Sequence, residues 1–286
     1  SWCFKANRTK EKESGGEARY FCGKELNMSL ISPPFNQGLG GYVREFVTVM
    51  RRVFLYTGKP QSKFVLFGRG RSGSTLLTQM LNESPDISCD KEIFNRPVLF
   101  PRLFLRSRKS RTNRNIYGFK LLSYQLREMY SPSQAREFLR YLSEKQAYKI
   151  VYLTRENPVL QTLSKHYARH RGSWHQTNEA KPEKMRINVP SFIQELRASI
   201  ELDEFEQFCL KGLNNFKVVY EQDLKEPKEH WRLMDRLTHY LGVSIVKPNS
   251  DLKRISTDKV ADYVENWTEL KECLSYSEFA RFTDFE

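Results

Sequence analysis

The stretch FVLFGRGRSGSTLL, residues 64–77, constrains this chain more than any other. Phe64, Val65, Leu66 and Phe67 form a continuous apolar run, as expected of a parallel strand buried on both faces. GRGRSG then turns the chain, and from Ser74 to Met80 it restarts with helical spacing. A strand, a phosphate-sized loop and a helix in that order can aim successive backbone N–H groups at one point. The helix N-terminus adds roughly half a positive charge there. A phosphorylated or sulfated ligand is the expected occupant.

The remainder of the chain alternates strand and helix. Residues 117–122 (YGFKLL), 148–154 (YKIVYLT) and 216–220 (FKVVY) read as further strands. Ser131-Pro132-Ser133 opens a helix with Ala135, Phe138, Leu139 and Leu142 on one face. Asn157 caps another that starts at Pro158, and Pro190 opens one with Phe192, Ile193, Leu196 and Ile200 inward. A last helix spans 231–241 and is closed by Gly242. This pattern predicts an α/β fold, a three-layer P-loop-like parallel sheet flanked by helices, with ligands at the carboxyl ends of the strands. The domain is expected over 61–286, preceded by an N-terminal extension over 1–60. Residues 1–27 of the extension are polar and without periodicity. Val43, Phe46, Val47, Met50 and Val53 recur at helical spacing and predict an amphipathic helix packed beside the first strand.

Charge narrows the ligand. The 286 residues carry a net +13, and residues 91–114 hold eight basic residues against the single acid Glu92. A field of that sign favours anionic ligands, although a solvated basic loop would look the same. The five cysteines are unpatterned, so neither a disulfide scaffold nor a zinc site is indicated, although Cys3 and Cys22 could pair in an oxidising compartment. Sequons at Asn7, Asn27, Asn82 and Asn266 are short matches of little weight. No apolar run is long enough to span a bilayer and no signal peptide is present. A cytoplasmic location is expected, or a Golgi lumen if an N-terminal anchor has been removed.

The loop nearly fits the nucleotide-triphosphatase pattern G-x-x-x-x-G-K-[ST], but Ser74 stands where the phosphate-reaching lysine should be. The cations of the loop are Arg69 and Arg71, and no apolar run ending in Asp offers itself for magnesium. A kinase or triphosphatase is disfavoured. R-S-G-S-T-L-L after a hydrophobic strand instead resembles the 5′-phosphosulfate loop of the sulfotransferases that use 3′-phosphoadenosine 5′-phosphosulfate (PAPS), in which Lys or Arg occupies the position of Arg71. VYLTR ends at Arg155 with Ser164 nine residues on, similar to the family's 3′-phosphate site. That spacing resembles the bacterial carbohydrate-type enzymes (trehalose, nodulation-factor and lipopolysaccharide) more than the cytosolic aryl and steroid ones. VVYEQDL, 218–224, is similar to the family's V-x-Y-E-D-L, and KRISTDKVADYVENW looks like its C-terminal segment.

The resemblance implies PAPS as donor, PAP as product and no metal. It implies that Arg69, Gly70, Arg71, Ser72, Gly73, Ser74 and Thr75 surround the 5′-phosphosulfate, and that Arg155 and Ser164 hold the 3′-phosphate, with Arg254 a weaker third candidate. Arg71 would act on the bridging oxygen and sulfonate. Lys120 matches the lysine of the cytosolic enzymes' K-T-H, but Leu122 occupies the histidine position and cannot take a proton. Glu92 matches a glutamate of the carbohydrate-type enzymes and is expected to be the general base; the competing reading makes it an ion-pair partner of Lys91 or Arg96, and Asp90 is the reserve. His166, His170 and His175 lack the acid of H-E-x-x-H; His170 is kept as an acceptor-site residue, and Trp174 is read as core. The expected acceptor bears a hydroxyl on a sugar, as in a polysaccharide or glycolipid. The rivals are a nucleotide-binding kinase-like protein and a basic, non-enzymatic binder of polyanions; no nucleic-acid motif is present.

Overall fold

The computed structural model describes residues 39–55, 58–95, 98, 100–172, 183–243 and 259–284, with the side chains of 39–42, 44 and 45 excepted. Arg254, Trp174, His175, Arg96, Cys3, Cys22 and the extension before residue 39 lie outside the described residues. The body described below is the compact unit Arg44–Glu286, whose limit falls inside the first helix.

Five strands form one sheet: β1 (Ser62–Gly68), β2 (Ile87–Glu92), β3 (Ile116–Leu122), β4 (Tyr148–Thr154) and β5 (Asn215–Val219). Every pairing is parallel and the order is β2-β3-β1-β4-β5. The α/β parallel-sheet fold is therefore as the sequence predicts. The helices are α1 (Leu39–Leu55), α2 (Ser74–Asn82), α3 (Pro101–Lys109), α4 (Ser123–Met129), α5 (Pro132–Arg140), α6 (Pro158–His170), α7 (Val189–Leu210), α8 (Pro227–Leu241) and α9 (Trp267–Ser275). After β1 the chain runs to one side of it through β2 and β3, then crosses to the other side for β4 and β5. That reversal opens a crevice over the carboxyl end of β1.

Two apolar layers explain why β1 is apolar throughout. Phe64 and Leu66 pack with Leu77, Met80 and Leu81 of α2 and Leu233, Met234 and Leu237 of α8. Val65 and Phe67 face the other way, onto Phe138 and Leu139 of α5 and Leu202 and Phe205 of α7. Each such side chain contributes about 1.5–3 kcal/mol on burial, so the sheet centre is held from both faces. A third cluster joins Val159 and Leu163 of α6, Phe192 and Leu196 of α7, and Leu270 and Leu274 of α9.

Several expectations need correcting. β2 went unread because ISCDKE lies at the sheet edge and alternates polar residues with its two buried ones, Ile87 and Cys89. Helix α4 follows β3 without a hydroxyl or carboxylate cap; Gln125 accepts from the Leu122 N–H instead. In α7, Phe192 and Leu196 are buried, whereas Ile193 and Ile200 are only half-buried. The largest departure is α1: Val49 is its buried residue, while Val43, Phe46 and Val47, expected to face inward, are exposed.

Candidate active site

The loop after β1 is shaped by two left-handed residues, Arg71 (φ 65°) and Gly73 (φ 78°). At Gly73 any side chain would be doubly refused, because a Cβ would lie 2.7 Å from Leu224 and 3.1 Å from Tyr220. Arg71 tolerates its strain in a position where the surrounding contacts fix it. Helix α2 begins at Ser74 without a side-chain cap, so its first N–H groups are presented to the loop's concave side.

Three distant residues meet on this loop. The Arg71 Nε donates to Ser164 Oγ at 3.1 Å, and an Arg155 Nη1 donates to the Arg71 carbonyl at 3.2 Å. Arg155 leaves the end of β4, while Ser164 is carried by α6, whose start is fixed by the Asn157 side chain accepting from the Leu160 N–H. Burial, and then the Arg155 charge, push the Arg71 guanidinium down to about 10. Two buried cations that oppose each other around an uncapped helix start make a site suited to a multiply charged anion.

Arg155 is itself positioned. Its Nε pairs with Glu221 Oε1 at 3.1 Å and its guanidinium lies over the Tyr220 ring, 4.5 Å from the centroid. Glu221 uses its other oxygen on the Glu156 N–H. Sequence reasoning had matched YEQDL as a motif without assigning these two jobs.

Across the loop sits a second group. A β-bulge between Asp90 and Glu92 makes Asp90 pair with Phe119 but Glu92 with Lys120. The extra residue carries Glu92 to the opposite face of the sheet from Asp90. Glu92 Oε1 is 2.8 Å from Lys120 Nζ, and Lys120 also donates to Thr75 Oγ1 at 3.4 Å. Glu92 Oε2 accepts from Gln125 Nε2 at 3.1 Å and, at 3.5 Å, from the Tyr124 hydroxyl. Glu92 thus has a cation partner, but it is Lys120 rather than Lys91. Asp90 is bound to Arg108 and the Tyr117 hydroxyl on the other face and is removed from candidacy as a base. Gln125 was not foreseen, and the signal was available: it lies three residues after Leu122.

Two loop assignments change. Arg69 turns away from the concave side: its Nη2 is 2.7 Å from Asp203 and its Nη1 donates to the Ser199 carbonyl, both on α7. The Ser72 side chain is fully buried, its Oγ accepting from Gln161 Nε2, which also donates to the Gly70 carbonyl. Both can still offer backbone N–H groups. Beneath Arg69, Glu206 is fully buried, 3.4 Å from the Arg69 Nε and bonded to the Tyr152 hydroxyl. Burial pushes its carboxyl up to about 7, since Asp203 takes the nearer claim on the one guanidinium.

The remaining candidates lie elsewhere. His166 faces Glu195, and burial lowers its pKa; His170 is exposed at the end of α6. Among the described residues no cluster of three His, Cys, Asp or Glu could hold a metal, and no helix is long and apolar enough to cross a membrane. The basic stretch does not ring Glu92. Arg108 is spent on Asp90, Arg102 lies over Tyr141, and Arg114 donates to the Ser84 carbonyl. Asn82 exchanges two hydrogen bonds with the Cys89 backbone and so ties α2 to β2.

Comparison with known proteins places the fold. No family model matches the sequence, and no curated protein matches it. A crystal structure of a sulfotransferase from Alicyclobacillus acidocaldarius superimposes with a TM-score of 0.50 at 17% identity, covering 78% of this chain and 92% of that one. Mouse sulfotransferase SULT7A1 complexed with PAP aligns over 70% of this chain and 65% of its own, at a TM-score of 0.39 and 15% identity. The class defined is thus a five-stranded parallel α/β fold of the kind the bacterial sulfotransferase has.

Proposed function

We propose that this protein transfers a sulfuryl group from PAPS to a hydroxyl of a carbohydrate or glycolipid acceptor. The observation that carries the reading is the convergence of Arg71, Arg155 and Ser164 at one end of the loop, with Glu92, Lys120 and Thr75 at the other. The donor set is cationic and hydroxylic, as a bisphosphorylated nucleotide requires, and Gly73 leaves the approach to α2 open. PAPS would supply the activated sulfuryl group and a stable leaving group.

Arg71 and the first N–H groups of α2 offset the charge that grows on the 5′ side as the S–O bond breaks. Arg155 and Ser164 hold the 3′-phosphate, which fixes the register of the nucleotide. Lys120, between Thr75 and Glu92, stands where it can touch both the sulfonate side and the base. Glu92 takes the proton of the acceptor hydroxyl at its carboxylate, whose two oxygens are oriented by Lys120 and Gln125. The exposed Tyr124 ring beside it offers a face for a sugar. No residue in this scheme requires a metal.

Glu92→Gln should lower turnover by roughly 10²–10⁴-fold, the usual worth of a general base. PAP should still raise the melting temperature of the variant, in EDTA, as it does for the parent. Retained turnover would remove Glu92 from the mechanism; a parent that responds to ATP with magnesium and ignores PAP would favour the kinase-like alternative.

A further inference from the structure

Helix α1 is amphipathic in the wrong sense for a soluble body. Phe46, Val47 and Phe54 share one side of it, and they are 42%, 56% and 75% exposed. Leu55 at its end is 63% exposed, and Phe100, in edge contact with Phe46 at 5.7 Å, extends the patch at 54%. The opposite side, through Val49, is the one docked on the core. A helix normally buries its apolar stripe, so an outward stripe of this length marks a surface that meets something other than water.

Its surroundings specify what. The contact of Phe46 with Phe100 at one end and the Gly58 N–H donating to the Ser110 carbonyl at 3.0 Å at the other place the start and end of α3 alongside. The sequences of α1 and α3 hold seven basic residues and one acid, Glu45. Where α3 ends, Lys63, Lys109 and Arg106 crowd one another: burial and Lys109 lower the pKa of Lys63, and burial and Arg106 lower that of Lys109. None of the three has an acidic partner among the described residues. The protein thus keeps uncompensated cations at the border of an apolar stripe, which destabilises it unless an anion arrives.

We propose that the α1–α3 face binds the surface of an anionic phospholipid bilayer, with Phe46, Val47, Phe54 and Leu55 entering the headgroup region and Arg106, Lys109 and Lys63 meeting lipid phosphates and carboxylates. A soluble polyanion would satisfy the cations and leave the stripe in water. A second copy would cover the stripe but bring like charges together. A convex helix with long basic side chains at its rim matches a bilayer interface, where apolar residues sink and cations snorkel. This face is separate from the residues assigned to sulfuryl transfer, so the two readings stand or fall independently.

Co-sedimentation of the full chain with phosphatidylcholine vesicles and with phosphatidylcholine–phosphatidylserine vesicles tests it. Binding is expected to the mixed vesicles only, and to weaken as salt rises. Arg106→Glu/Lys109→Glu should reduce the bound fraction by roughly tenfold or more, and Phe54→Ser/Leu55→Ser by a comparable factor. The PAP-induced melting shift of both variants should equal that of the parent, which certifies their fold. Equal recovery with both vesicle types would overturn the proposal, as would variants that bind like the parent. Loss with the charge variant alone would reassign the face to soluble anions. Failure to sediment with either vesicle would give the stripe to an acidic amphipathic protein segment and overturn it too.

Discussion

Arg69 and Arg71 stand two residues apart in one loop and have opposite fates. Arg69 goes inward to Asp203, Glu206 and Ser199, where the protein supplies its own counter-charge. Arg71 goes to Ser164 and beside Arg155, where its charge is disfavoured on balance. A cation neutralised by the fold maintains the fold, whereas one placed against another cation is stabilised best by an incoming anion. By that criterion the loop has an inner, structural wall and an outer, ligand-facing one.

The largest effect expected from breaking this contrast is on the outer wall. Arg71→Met should lower turnover by roughly 10²–10³-fold, as loss of one charge-stabilising donor does. Its melting temperature without ligand should stay level or rise, because a buried, opposed charge has gone. A variant both inactive and markedly less stable would place Arg71 on the structural side.

Arg69→Met should do the reverse. Removing it leaves Asp203 and the buried Glu206 without their cation, at a cost of about 3 kcal/mol. Urea unfolding would read that loss, while PAP affinity of the folded variant should change little. A selective loss of PAP affinity at unchanged stability would return Arg69 to the ligand side.

The contrast extends to pH. The carboxyl of Glu206 is raised from 4.5 to about 7, so the folded state holds its proton where the unfolded chain has released it. The stabilisation is full below about pH 4.5 and is lost as pH rises through 7, a change of about 2 kcal/mol between pH 5 and 7. The difference in stability between parent and Glu206→Gln should follow that curve. A difference that grows toward high pH would mean that Glu206 is ionised and paired.

Much of this was legible in the sequence, for physical reasons that also mark the limit. Residues 64–77 are local: strand, loop and helix follow from neighbouring residues, and four of the five strands are rich in β-branched, aromatic or leucine residues. Arg155 and Ser164 could be placed on convergent elements because β4 and α6 follow one another directly. Direction within a loop was not legible. Nothing in GRGRSG says that Arg69 points to a helix 130 residues on and Arg71 does not, since that depends on the left-handed turn at Arg71 and on α7. Nor does ISCDKE reveal the bulge that separates Asp90 from Glu92. The stripe of α1 was read correctly as a stripe and wrongly as buried, because periodicity reports that a helix has two faces but not which one the protein keeps.

Gln125 stands between the two kinds of group and supplies the smallest, sharpest test. One end of its amide is fixed by the fold, Oε1 accepting from the Leu122 N–H; this forces Nε2 toward Glu92. Donation to a carboxylate favours its ionised form, so the amide orients Glu92 and holds it ready as a base. Gln125→Leu should reduce kcat by roughly tenfold, with little change in the KM for PAPS, an effect of about 1.4 kcal/mol. The acid limb of the kcat/KM profile should move to higher pH, since Glu92 would lose a donor to its charged form. A residue that merely capped α4 would lower the melting temperature and leave that limb in place. A stationary limb would therefore assign Gln125 wholly to the fold, on the same side of the division as Arg69.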